Sequence, residues 1–282
     1  MNAKGGGNVA EPASVGALLA AATALPVDRT DAELLLAALL RLPRAQLIAF
    51  EERPVDMLTL ALFQAGLERL ADGEPLAYVT GVKEFWSLPV TVAPGVLVPR
   101  PETELLVELC LARLGDRPRR VADLGTGSGA IALALARERP EWRIVATDLS
   151  SDALDVARAN RRRLDAGNVE LRQGSWCEPL AGERFDAIVS NPPYIAPGDP
   201  ALPALRHEPV QALVAEDEGY AALFAIAACA RGHLLPGGLL LLEHGAGQSA
   251  RLVEHLAALG YRDIASHRDL AGHDRVVLAV WP

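Results

Sequence analysis

Two hydrophobic rhythms divide the chain. In the first, apolar residues recur at helical spacing through Ala32–Leu42 and Val55–Leu70, with a shorter segment before them, and Pro43 and Pro54 interrupt the pattern. Proline lacks the N–H that a helix interior requires, so both positions read as helix boundaries. This rhythm predicts a small all-α N-terminal domain over residues 11–74. Across residues 75–99 the composition shifts. Tyr78-Val79-Thr80-Gly81, Phe85-Trp86, Pro89-Val90-Thr91-Val92 and Val96-Leu97-Val98 set β-branched and aromatic residues between turn formers, predicting a β-hairpin linker.

The second rhythm follows a helix expected from Glu102 to Leu114. Short apolar runs at Val121–Leu124, Arg143–Thr147, Val169–Arg172, Phe185–Ser190 and Leu239–Glu243 read as strands. Helical stretches at Ala130–Arg139, Ser151–Leu164 and Ala221–Leu234 lie between them. Such alternation over residues 100–282 predicts an α/β domain with a parallel sheet covered by helices on both faces. After a helix at Gln248–Leu259, the closely spaced strands Ile264–Ser266 and Arg275–Val280 suggest an antiparallel ending.

Composition narrows the setting. Half of the 282 residues are apolar and 22% are charged, as in ordinary globular proteins. No apolar run approaches the roughly 18 residues of a membrane span, so neither a membrane nor membrane partners are expected. Residues 1–10 carry Gly5-Gly6-Gly7 without the apolar stretch of a secretory signal and read as a disordered tail. Cys110, Cys177 and Cys229 lack paired spacing, so neither a disulfide nor a metal site is expected and a reducing cytoplasm fits. The net charge of −9 disfavours direct binding to nucleic acid, whose phosphates attract basic surfaces. Arg161-Arg162-Arg163 reads as a solvated helix face.

Three segments carry candidate chemistry. Between the strand at Val121 and the helix at Ala130 stands Gly125-Thr126-Gly127-Ser128-Gly129, whose glycines allow a tight turn and close ligand approach to backbone N–H groups. Its spacing differs from the GxGxxG of dinucleotide folds, and no nucleotide-phosphate GK[ST] is present. Asp148 ends the next strand, about 20 residues on, where a carboxylate can accept from both ribose hydroxyls of an adenosine; capping a helix is its other reading. Trp176 follows the third strand, where an indole can stack on adenine or simply be buried.

The third segment, Asn191-Pro192-Pro193-Tyr194, directly follows the strand at Phe185. A primary amide or exocyclic amine is planar because its lone pair is delocalised, so the lone pair must be aimed before it can attack. The Asn191 side-chain oxygen and the Pro192 carbonyl can accept from such an NH₂ group, the prolines limit backbone freedom, and Tyr194 can cover the planar group. A proline-rich turn initiated by Asn191 is the plainer reading.

Together these residues resemble the class I S-adenosylmethionine methyltransferases that modify planar nitrogens. With Val98-Pro99-Arg100-Pro101-Glu102-Thr103-Glu104, Glu208-Pro209, Ala212-Leu213 and Leu241-Leu242-Glu243-His244-Gly245, the chain is similar to the protein-glutamine methyltransferase family over nearly its whole length, most closely to members acting on peptide chain release factors. The resemblance implies a Rossmann-like, seven-stranded, mostly parallel sheet with an antiparallel final strand beside a helical substrate-recognition domain. It implies methyl transfer from S-adenosyl-L-methionine to the amide nitrogen of the glutamine in the Gly-Gly-Gln motif of class 1 peptide chain release factors. Gly125, Thr126, Gly127, Ser128, Gly129, Asp148, Trp176 and Asn191 would then bind cofactor. Asn191, Pro192, Pro193 and Tyr194 would grip the glutamine, with Asn191, Pro192 and Tyr194 as catalytic residues.

One departure is Ser175, where the family commonly has Asp before the aromatic residue, so a carboxylate contact to the adenine amine is absent or replaced by a hydroxyl. Other acceptors remain open: a ribosomal-protein glutamine, or an adenine amine of DNA or RNA reached by base flipping. A non-catalytic cofactor-binding module is a further alternative. Glu102 and Glu104 suit either a pocket or a helix dipole, and His244 either a general base or a structural hydrogen bond.

Overall fold

A computed structural model describes residues 13–282; the tail expected over residues 1–10 lies outside the described residues. The chain divides into two compact units at Thr80/Gly81.

The first unit contains helices α1 (Val15–Ala22), α2 (Arg29–Leu40), α3 (Arg44–Ala49), α4 (Met57–Ala71) and α5 (Leu76–Thr80). Ser14, Asp28 and Asp56 cap α1, α2 and α4 by accepting backbone N–H bonds that the first helical turn leaves unmet. Val15, Leu35, Leu36, Leu47 and Phe63 form its core. A Cβ at Gly66 would stand 2.6 Å from Leu35 Cδ2, so glycine permits the close approach of α4 to α2. The expectation that Tyr78-Val79-Thr80 belongs to a hairpin does not hold. Pro75 starts α5 instead, its carbonyl accepting from Tyr78 and Val79, and proline suits a helix's first turn.

In the second unit, β1 (Val82–Phe85) and β2 (Leu88–Thr91) form an antiparallel hairpin. Val96–Val98 joins no strand; the Val98 N–H donates to Glu208 Oε2 at 3.0 Å. Next come α6 (Glu104–Leu114), β3 (Arg120–Leu124), α7 (Ala130–Glu138), β4 (Arg143–Asp148), α8 (Ser151–Arg163) and β5 (Val169–Gln173). Then follow β6 (Phe185–Ser190), α9 (Ala221–Ala230), β7 (Leu234–Glu243), α10 (Ser249–Ala258), β8 (Arg262–Arg268) and β9 (Asp274–Val280).

The 7-stranded sheet has the order β5-β4-β3-β6-β7-β9-β8, and β9 runs against both its neighbours. This is the class I methyltransferase fold, with the expected antiparallel ending. Its central strands β3, β4, β6, β7 and β9 are largely apolar because both faces are covered, whereas the edge strands β5 and β8 carry polar, exposed residues. One face packs Leu106, Val107, Leu133 and Leu135 of α6 and α7. The other packs Leu223, Ile226, Leu252 and Leu256 of α9 and α10. The helix expected to reach Leu234 stops at Ala230, and β7 begins there instead, its Pro236-Gly237-Gly238 run absorbed by an irregularity against β6.

Candidate active site

Register sets the site. Leu124 is level with Thr147 on one side and with Ser190 on the other, so Gly125, Asp148 and Asn191 emerge together at the C-terminal edge of adjacent parallel strands. Ligands of open α/β sheets bind at this edge, where strand order reverses. A cavity of about 390 Å³ opens there, lined by Gly125, Gly127, Asp148, Leu149, Trp176, Asn191 and Pro193, among others.

At the β3–β4 end, Gly125 and Gly127 adopt the left-handed conformation, with φ of 71° and 55°. A Cβ on Gly127 would meet nothing within 4 Å, so its backbone faces open space. A Cβ on Gly125 would lie 3.2 Å from the Trp176 ring, which packs over the loop. Thr147 Oγ1 holds Trp176 by donating to its carbonyl at 3.1 Å. Asp148 Oδ2 accepts from the Gly127 N–H at 2.8 Å and Oδ1 from the Ser150 N–H at 2.9 Å. Burial raises the Asp148 carboxyl above the usual carboxylate range against the pull of these bonds. Capping of α8 falls to Ser150, which leaves Asp148 at the cavity wall.

Thr126, Ser128 and Gly129 lie behind the cavity. Thr126 Oγ1 donates to Asp123 Oδ2 at 2.6 Å, the Ser128 carbonyl accepts from Asn160, and Gly129 opens α7 at φ 86°. Asp123, fully buried, is pushed up to about 7 by burial. Asn160 is also fully buried, and its amide exchanges hydrogen bonds with the Thr91 backbone, tying β2 to the glycine loop. No local motif marks that role for Asn160.

At the β6 end, Asn191 and Pro193 line the cavity, and Pro192 is buried between them in sequence. Asn191 Nδ2 donates to Thr103 Oγ1 at 3.0 Å. The Tyr194 hydroxyl donates to Glu243 Oε1 at 3.2 Å, and burial raises its pKa. Gln248 Nε2 donates to the Tyr194 carbonyl at 3.1 Å. Gly219, at φ 90°, lets the chain pass so near that a Cβ would fall 2.2 Å from the same carbonyl oxygen. Arg100 pairs with buried Glu208, whose other oxygen accepts from Val98. Thus the Pro-Arg-Pro-Glu segment and the Glu208-Pro209 segment are two halves of one clasp, a partnership that spacing alone does not reveal.

The remaining expectations resolve as follows. Glu104 accepts from the Trp86 N–H at 2.7 Å and so secures the hairpin, whereas Glu102 is exposed. His244 is fully buried with Nδ1 2.9 Å from the Gly245 carbonyl, and burial lowers its pKa. Ser175 lines the cavity, and its N–H donates to Glu178 at 3.2 Å. The expectation of no disulfide is corrected: Cys177 and Cys229 are joined, with Cα atoms 6.1 Å apart across 52 residues of sequence. The loop after β5 and helix α9 pack on the same sheet face, a proximity that sequence spacing cannot report. Cys110 is free, and burial pushes its thiol up to about 12.

Known proteins share both units. Residues 14–81 match the PrmC N-terminal domain, and residues 101–216 match the Methyltransferase small domain. A release factor glutamine methyltransferase from Coxiella burnetii is 46% identical over 91% of this chain and 93% of its own length. One from Escherichia coli is 46% identical over 89% and 91%. Among solved structures, a T. thermophilus 16S rRNA methyltransferase in complex with AdoMet and guanosine is 23% identical, with a TM-score of 0.55, over 71% of this chain and 50% of that one. A methyltransferase from Pyrococcus furiosus is 21% identical, with a TM-score of 0.53, over 68% and 88%. At such identities these two share the fold.

Proposed function

Since the chain belongs to the release factor glutamine methyltransferases, we propose that it methylates the side-chain amide nitrogen of the glutamine in the Gly-Gly-Gln motif of class 1 peptide chain release factors, with S-adenosyl-L-methionine as donor. One observation carries this reading. A single cavity is lined at one end by Gly127, Asp148 and Trp176 and at the other by Asn191 and Pro193.

The residues present fit the donor. Asp148 offers a carboxylate to ribose hydroxyls, the open backbone at Gly127 leaves room beside it, and Trp176 with Leu149 offers apolar surface to adenine. Leu149, 72% exposed, lines the same wall of the cavity. When bound, the donor supplies a methyl group on positively charged sulfur. The Asn191 side-chain oxygen and the Pro192 carbonyl accept the amide N–H bonds and turn the nitrogen lone pair toward that methyl group. Holding near-attack geometry supplies most of the acceleration, and the same acceptors favour the positive charge that develops on nitrogen.

A glutamine side chain offers too little surface for selection, so the helical unit serves as the substrate-recognition domain. It carries exposed Leu58 and Leu62, one turn apart on α4, and exposed Ile48 on α3. Mass spectrometry of release factor incubated with enzyme and donor tests the reading. One methyl group is expected on the motif glutamine, and methylation elsewhere or none at all would refute it. Leu58→Asp with Leu62→Asp is expected to raise KM for the intact factor and leave a Gly-Gly-Gln peptide unaffected.

A further inference from the structure

The Asn191–Tyr194 run leaves the sheet at one end and must be held at the other. At its start, Ser190 is level with Leu124 and Leu242 of the neighbouring strands, and its hydroxyl donates to the Leu124 carbonyl at 2.6 Å. Pro192 and Pro193 have no N–H, so the middle of the run offers its surroundings only backbone carbonyls. The two rings also fix φ, and a proline restricts the residue before it, which leaves Asn191 and Pro192 little freedom to turn. A displacement of the Tyr194 peptide is therefore passed back toward the Pro192 carbonyl rather than absorbed between them. Whatever holds Tyr194 helps to aim one acceptor of the proposed transfer.

Gln248 holds it. This residue, 9% exposed, stands just before α10 and uses its whole amide. Oε1 accepts from the Gly245 N–H at 2.8 Å, while Nε2 donates to the Tyr194 carbonyl at 3.1 Å and to the Glu218 carbonyl at 3.4 Å. An N–H only donates and a carbonyl only accepts, so these three backbone partners admit one orientation of the amide, and none of them titrates. The Gln248 N–H donates back to the Gly245 carbonyl at 3.2 Å, which closes the turn. Two glycines make the room. A Cβ at Gly219 would stand 2.8 Å from Nε2, and one at Gly245 would stand 3.1 Å from Oε1 and 3.3 Å from Tyr194 Cδ2. One side chain thus joins the loop after β7, the turn before α9 and the end of the run. Gln248 is not among the residues that line the cavity, so its route to the reacting atoms passes through Tyr194.

We propose that Gln248 is a positioning residue for methyl transfer: its amide clamps the Tyr194 carbonyl and thereby fixes the direction of the Pro192 carbonyl at the acceptor nitrogen. This inference deepens the methyl-transfer reading and rests on it.

Gln248→Met in the full chain keeps a side chain of similar length and removes all three amide bonds. At saturating donor and release factor, well below the unfolding temperature, its kcat should fall about 10- to 100-fold, with donor Kd and KM for release factor within about twofold of wild type. A merely structural role would lower the unfolding temperature and leave the kcat of the folded enzyme intact. Gly219→Ala displaces the same carbonyl, so the double variant should lose no more than the larger of the two single losses. Tyr194-Ile195 is the one Tyr-Ile pair in the chain, so isotope labels at the tyrosine carbonyl and the isoleucine nitrogen give a single NMR peak that reports the Tyr194 carbonyl. That peak should move on Gln248→Met with neither donor nor acceptor present.

Wild-type kcat in Gln248→Met, a loss carried wholly by donor Kd or KM, additive losses in the double variant, or an unmoved peak would each overturn the proposal. If Gln248→Met does not fold, Gln248→Asn, one methylene short of the Tyr194 carbonyl, takes its place in every measurement. If the wild-type chain leaves release factor unmethylated, the release-factor reading fails, and the peak still decides whether Gln248 holds the run.

Discussion

The two ends of the cavity are built by different means. At the β3–β4 end the contacts are short in sequence and made by backbone: Asp148 accepts from the N–H of Gly127, 21 residues away. At the β6 end the supports are side chains from afar. Thr103 reaches Asn191 across 88 residues, and Glu243 and Gln248 reach Tyr194 across 49 and 54. A site that holds a small, unvarying molecule can be formed by one loop and its neighbouring strand. A site that must aim a reacting nitrogen needs its side chains locked from several directions.

Variants at each end can break or sharpen this contrast. Asn191→Ala should have the largest effect, lowering kcat about 10²- to 10³-fold, the range seen when one preorganised group is lost, while donor affinity by calorimetry stays near wild type. Collapse of donor binding with normal single-turnover chemistry would erase the division of labour. Asp148→Ala should show the opposite pattern. Loss of charge-assisted hydrogen bonds worth about 1.5–3 kcal/mol raises donor Kd about 10- to 100-fold, with kcat at saturation much less affected.

Gly219→Ala should be milder, lowering kcat about tenfold and the unfolding temperature with it, because the new Cβ must push the Tyr194 carbonyl away. Donor Kd should not change, and a change there would show that the two ends are mechanically linked.

The smallest effect concerns Asp123, under the glycine loop. Its pKa, raised to about 7 by burial, means that the folded state holds a proton the unfolded state releases near 3.8, the ordinary value of an aspartate. Its contribution to stability is thus complete below that value and lost as pH rises through about 7. Asp123→Asn should therefore gain unfolding temperature relative to wild type between pH 5 and pH 8, as measured by calorimetry. A difference independent of pH would contradict the assignment.

The same contrast explains what the amino-acid sequence disclosed. Buried parallel strands announce themselves as apolar runs, and Gly125–Gly129, Asp148 and Asn191–Tyr194 directly follow or end such runs, so their meeting at one sheet edge was legible. Thr103 and Glu243 were visible as letters of a resemblance, but not as the partners of Asn191 and Tyr194, because hydrogen bonds across 88 or 49 residues leave no periodic trace. The union of Cys177 with Cys229 was hidden for the same reason. Local misreadings had local causes. Tyr78-Val79-Thr80 favours strands by composition yet takes a helical turn behind Pro75, and Pro236-Gly237-Gly238 resembles a stop although β7 runs through it.

The placement of β9 between β7 and β8 bears on how the enzyme is made. A ribosome delivers β7 well before β9, so the edge of β7 that will pair with Val276–Val280 stays bare while the intervening segment emerges. Because Glu243 ends that strand, Tyr194, whose hydroxyl donates to it, gains its anchor late. A nascent chain would thus complete the β3–β4 end of the cavity before the β6 end.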